Sequence, residues 1–79
     1  MEIRPGILVR SKAGRDKDRV YAVVNVDEKH VYVADGVERP LRHMKRKNKK
    51  HLQPILNVQI SGTPDDTAIR EIIRQYQED

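Results

Sequence analysis

The chain has no cysteine, tryptophan or phenylalanine, and its 79 residues include only three tyrosines. Without cysteine there is no disulfide to staple the fold, no thiolate metal site and no thiol nucleophile. Scarce aromatics leave little to line a peptide groove or to stack on nucleobases. There is no long apolar run to enter a bilayer, and no amphipathic helix carries the basic residues. The opening Met-Glu-Ile-Arg-Pro-Gly lacks the apolar stretch of a signal peptide, so a cytoplasmic location is expected. At this length a single domain with a thin core is expected.

What the chain does have is positive charge, unevenly placed. Residues 1–53 carry fourteen Lys+Arg against seven Asp+Glu, a net of +7, whereas residues 54–79 carry two against five, a net of −3. The densest run is Arg42-His43-Met44-Lys45-Arg46-Lys47-Asn48-Lys49-Lys50-His51, with six lysines and arginines and no acid. Like charges so close repel one another, so the run reads as a solvated loop that folds against nothing of its own. It suits a polyanion, because each cation set against a phosphate releases a condensed counterion. The plain alternative is a loop that only keeps a small protein soluble.

The pattern predicts short strands followed by one helix. Ile7-Leu8-Val9 follows the Pro5-Gly6 turn signal, and Ser11–Asp18 is a polar loop around Gly14. Val20–Val26 alternates with apolar residues on both faces, which predicts a strand buried on both sides. Asp27-Glu28-Lys29 is a short connection to a strand over His30–Ala34. Asp35-Gly36 is a two-residue hairpin signal that predicts a further strand over Val37–Leu41, held to an edge by Pro40. Beyond the basic run come Leu52, then Leu56, Val58 and Ile60 alternating with Asn57 and Gln59, which predict one or two further strands. Thr63 as cap, Pro64 in the first turn and Asp65-Asp66 at the positive dipole end predict a helix start. Ile69, Ile72, Ile73 and Tyr76 then form one apolar stripe that must dock on the β-core. The economical solution is mainly β: a small half-open barrel of four to five strands over residues 1–60, with a C-terminal helix over 61–79 packed on it as one domain.

That topology brings two loops near each other. Lys12, Gly14, Arg15 and Lys17 of the first loop are expected to form one basic surface with the basic run, suited to a polyanion. From the run it would recruit Arg42, Lys45, Arg46, Lys47, Lys49, Lys50 and His51. Gly14 can be an ordinary turn glycine or can admit a phosphate backbone at close range. Arg15 can fork onto a phosphate or a guanine edge, or pair with Asp16 or Asp18 for little gain. Tyr21 and Tyr32 can stack on an unpaired base or fill the core, and the thin core favours packing.

Catalysis finds no foothold. There is no phosphate-loop pattern and no nucleophile elbow. His30, His43 and His51 are too far apart for a local metal motif, and Asp16-x-Asp18 lacks the glycine and closing glutamate of a calcium loop. A non-enzyme without cofactor or metal is expected. A protein-interaction barrel in transcription or translation control is the alternative, and fold alone does not separate the two.

Three stretches also carry a resemblance. Pro5-Gly-Ile-Leu-Val-Arg-Ser-Lys-Ala-Gly-Arg-Asp-Lys-Asp-Arg-Val-Tyr-Ala-Val-Val, with Val31-Tyr-Val-Ala-Asp-Gly and Lys50-His-Leu-Gln-Pro, resembles the KOW-domain RNA-binding proteins of bacteria. These are similar to KOW-containing large-subunit ribosomal proteins of archaea and eukaryotes. Gly14 would be the glycine of the KOW motif. Asp18 stands where such proteins often have glycine, and His43-Met44 where Pro-Lys is usual. The resemblance implies an SH3-like barrel, with RNA, ribosomal RNA in particular, as partner in the setting of the ribosome and translation.

Overall fold

A computed structural model describes residues 3–78. Five antiparallel strands, β1 (Ile7–Ser11), β2 (Val20–Val26), β3 (His30–Ala34), β4 (Lys45–Asn48) and β5 (Leu52–Gln59), form one sheet in the order β4-β3-β2-β1-β5. Helix α1 (Asp66–Glu78) follows. The protein is a small SH3-like barrel with a C-terminal helix.

Alternation along the central strands creates two apolar layers, because successive side chains point to opposite faces. Ile7 and Val9, Tyr21 and Val23, Val31 and Val33, and Leu52 pack together inside the curl of the sheet. Leu8, Val20, Ala22, Ala34 and Ile55 form the other layer, which Ile60, Ile69 and Ile73 cover. The helical stripe docks as its spacing predicts: Ile69 and Ile73 are buried, and Ile72 and Tyr76 lie half-buried at the rim.

The helix starts later than the sequence suggests. Asp65 is its cap, its carboxylate accepting from Ala68 N at 2.8 Å and its carbonyl from Ile69 N at 3.0 Å. Thr63 and Pro64 lie before the cap, in the link from β5. A carboxylate at this position satisfies an orphan N–H and faces the positive dipole end, which a threonine two residues earlier is too far away to do.

One strand expectation is corrected, and one residue of another strand faces the wrong way. The hairpin strand over Val37–Leu41 does not form. Asp35 accepts from Val37 N at 2.8 Å and Arg39 N at 2.9 Å, while Arg39 O accepts from Asp35 N at 2.9 Å, so the backbone groups a hairpin would use are satisfied within a tight loop. Gly36, at φ +80°, lies against the first turn of α1, where any Cβ would collide with Asp66 O. Leu41 opens a 3-10 turn, Leu41–His43, and its N–H donates to the Asp66 carboxylate at 2.7 Å. The segment is a seat for the helix instead of a strand.

The strand read through Leu56, Val58 and Ile60 forms as β5, and Val58 and Ile60 face the core, but Leu56 does not. Leu8 pairs with Ile55 and Ile7 with Gln59, so four steps along β5 match one along β1. The intervening residues bulge, and Leu56 is left 57% exposed. Ile60 N then donates to Gly6 O at 2.7 Å and closes that end of the sheet.

Ile69→Ala is expected to cost about 2–4 kcal/mol, because it removes a fully buried side chain that joins the helix to the sheet. A urea melt checks this, and an unchanged midpoint would mean that the helix contributes nothing to the core.

Candidate nucleic-acid interface

The basic run departs most from its sequence reading. It does not stay a solvated loop: Lys45–Asn48 is strand β4, paired with β3 through Val31↔Lys47, Tyr32↔Arg46 and Val33↔Lys45. Strand alternation sends Lys45 and Lys47 inward with Val31 and Val33, and Arg46 outward. The run folds because the barrel holds an anion for it.

That anion is Asp16, from the loop between β1 and β2. Its buried carboxylate accepts from Lys47 Nζ at 2.9 and 3.1 Å, from Lys45 Nζ at 3.1 Å, from Tyr21 Oη at 2.9 Å and from Ser11 Oγ at 3.0 Å. Lys47 Nζ also donates to Ser11 Oγ at 3.0 Å, and the Lys47 side chain is 8% exposed. Burial by itself would push the Asp16 carboxyl up. The hydrogen bonds from Lys47, Tyr21, Lys45 and Ser11 outweigh it and hold the group well below the usual carboxylate range. Burial and the Asp16 partner push the Tyr21 phenol up to about 12.

These contacts correct two site expectations, Lys47 and Lys45, and agree with the packing favoured for Tyr21. Lys47 spends its ammonium inside the barrel and cannot also reach a phosphate. Lys45 is half-committed, partly exposed but bonded to Asp16. Tyr21 is 1% exposed with its hydroxyl bonded to Asp16, so it packs and does not stack. Asp16 pairs with these lysines, not with Arg15.

The same network fixes the first loop beside the run. Lys12 N donates to His51 O at 2.8 Å, in the 3-10 turn Lys49–His51 that links β4 to β5. Asn48 caps that turn, accepting from Lys50 N at 3.0 Å. Lys17 N donates to Gly14 O, Arg19 N to Asp16 O and Asp18 N to Ser11 O, so the loop is two tight turns. Gly14 sits at φ +87°, and a Cβ there would meet only Asp16 Oδ1 at an ordinary 3.5 Å. The glycine is needed for its backbone angle and not for space. Asp18 takes φ +74°, so the tight turn is kept with an aspartate in place of glycine. Aspartate tolerates this left-handed region better than most residues.

Lys12, Arg15 and Lys17 are exposed on this loop, and Lys50 and His51 are exposed beside it, with Lys49 partly so. None of these lysines and arginines forms an ion pair among the described residues. Arg42 is exposed in the 3-10 turn whose Leu41 N–H bonds Asp66 at the start of α1. Arg46 is exposed on the outward face of β4. The arrangement can hold a row of anions by charge and donated hydrogen bonds.

The role of Asp16 was missed in the sequence, where it reads as one more acid in a polar loop. The signal that could have found it is the Lys45-Arg46-Lys47 alternation: read as a strand, it points two cations at a core and demands a counter-charge. Among the described residues no group of His, Asp and Glu side chains is placed to hold a metal ion, and no helix is long and apolar enough to cross a membrane. No protein-family model matches the chain, and no curated protein matches it.

Acid titration tests the network. The folded Asp16 carboxyl binds its proton at lower pH than the unfolded one, whose value is about 3.9. Its stabilisation is therefore complete above about pH 5 and lost as pH falls through 4 toward the lower folded value. Urea melts of the wild type should show this loss, and Asp16→Asn should flatten it. At pH 7 the variant should cost about 3–5 kcal/mol, because Lys47 is left buried without its counter-charge.

Proposed function

We propose that the protein is a non-catalytic RNA-binding module that holds its ligand by phosphate contacts from the two joined basic segments. Ribosomal RNA is the RNA we favour, and the ribosome in the cytoplasm the setting. The observation that carries this reading is the Lys12 N–His51 O bond. It brings Lys12, Arg15 and Lys17 beside Lys49 and Lys50, with none of these cations consumed in an ion pair among the described residues.

The physical logic is that of a prepaid site. Holding several like charges together costs repulsion, and Asp16 offsets part of it from beneath by neutralising the inward lysines. The outward cations remain for a polyanion, which removes the remaining repulsion on binding. The resemblance of the Pro5–Val24 stretch to KOW-domain proteins supports the same reading, with Gly14 as the motif glycine.

The test is a salt series on an RNA hairpin. Four or five phosphate contacts predict a slope of log affinity against log salt of roughly −3 to −4.5, at about 0.7–0.9 per contact. Changing Lys12, Arg15, Lys49 and Lys50 together to Gln should lower affinity about a hundredfold or more at low salt and flatten the slope by roughly three units. The melting temperature should hold or rise, since these four side chains are outside the Asp16 network. Salt-independent affinity, or unchanged binding by the variant, would overturn the reading and favour a protein partner.

A further inference from the structure

Tyr32 is the one barrel aromatic that the core does not use. It belongs to neither apolar layer, and its side chain is only half-buried on the outward face of β3. Across the strands it is paired with Asn25 of β2 on one side and Arg46 of β4 on the other. A bulge makes this row. Val23 pairs with Val33 but Asn25 with Tyr32, so Val24 is the extra residue, and the bulge brings the Asn25 amide level with the ring.

The ring is held in place. Tyr32 Oη donates to Asp27 Oδ2 at 3.0 Å, while Asp27 Oδ1 accepts from His30 N at 2.7 Å and Lys29 N at 3.0 Å. One carboxylate thus fixes both the β2–β3 turn and the phenol. The Asn25 side-chain Oδ1 accepts from Val26 N at 2.9 Å, and the side-chain N–H₂ has no partner among the described residues. Arg46 is exposed and, among the described residues, in no ion pair.

A fixed aromatic ring, an amide donor and an exposed guanidinium beside the ring in one row are the parts that grip a nucleobase: the ring stacks, the amide donates to the base edge, and the guanidinium meets the adjoining phosphate. Charge complementarity and chain continuity favour that occupant, because Lys49 and Lys50 follow β4 directly. We propose that the Asn25-Tyr32-Arg46 row is a subsite for one unpaired nucleobase of the RNA whose phosphates the basic segments hold. This rests on the RNA-binding reading above. It makes the ligand a backbone-held RNA with a bulged or flipped base, and not a fully paired helix.

The experiment compares two RNA hairpins, one fully paired and one with a single bulged 2-aminopurine. Wild-type protein should bind the bulged hairpin about tenfold or more tightly and quench its fluorescence. Tyr32→Leu should lose both the preference and the quenching while keeping the salt slope and the melting temperature. Tyr32→Phe, which keeps the ring, should retain the preference. Equal affinity for the two hairpins, or a preference that survives Tyr32→Leu, would overturn the subsite while leaving phosphate binding standing. Salt-insensitive or absent binding of both hairpins would overturn the two readings together.

Discussion

One buried carboxylate organises the molecule. Asp16 reaches from a loop into the open side of the barrel and is met there by Lys47, Lys45, Tyr21 and Ser11. β4 depends on it, because two of its four side chains are cations pointed inward. The loop depends on it too, since its two turns run over the residue the barrel grips. A 79-residue domain has a folding margin on the order of 4–12 kcal/mol, so an uncompensated charge here would use up much of it. Replacing the pair by apolar residues of similar size need not be destabilising. What the ion pair adds is specificity of arrangement: it ties one particular loop to one particular strand.

Much of the fold was legible because it obeys short periods. The alternation from Val20 to Val26 read as a strand buried on both sides, and its first four residues are buried. The Ile69, Ile72, Ile73 and Tyr76 spacing read as a docked stripe and is one. Where the reading failed, contacts distant in sequence overrode local signals. Asp35-Gly36 has hairpin chemistry, yet Gly36 is pressed against α1 and Leu41 is tied to Asp66, 25 positions away. Leu56 continues an apolar alternation, yet a bulge set by the Ile7–Gln59 pairing turns it outward.

The basic run shows how a charge count misleads when it ignores pairing partners. Six cations in ten residues suggest a segment in water throughout, and for Arg42, Arg46 and Lys50 that is so. Lys47 is buried and Lys45 partly so, and the counter-charge of Lys47 lies 31 residues earlier. No local window contains both. The grouping of Lys12 with Lys49 and Lys50 was expected from topology, and the Lys12 N–His51 O bond realises it. The Asn25–Tyr32–Arg46 row could not be read ahead, since it needs the bulge at Val24 and a strand where a loop was expected.

β4 is also an edge strand, with one side of its backbone unpaired by any other strand of the sheet. Such an edge invites a second chain to add on, and proteins commonly discourage this with lysines and short strands. Here three of four residues are cations and only the two inward ones share a carboxylate, so two copies brought edge to edge would set like charges about one strand spacing apart. The free protein thus carries its own guard against stacking into a continuous sheet, and that guard weakens wherever a polyanion neutralises the strand.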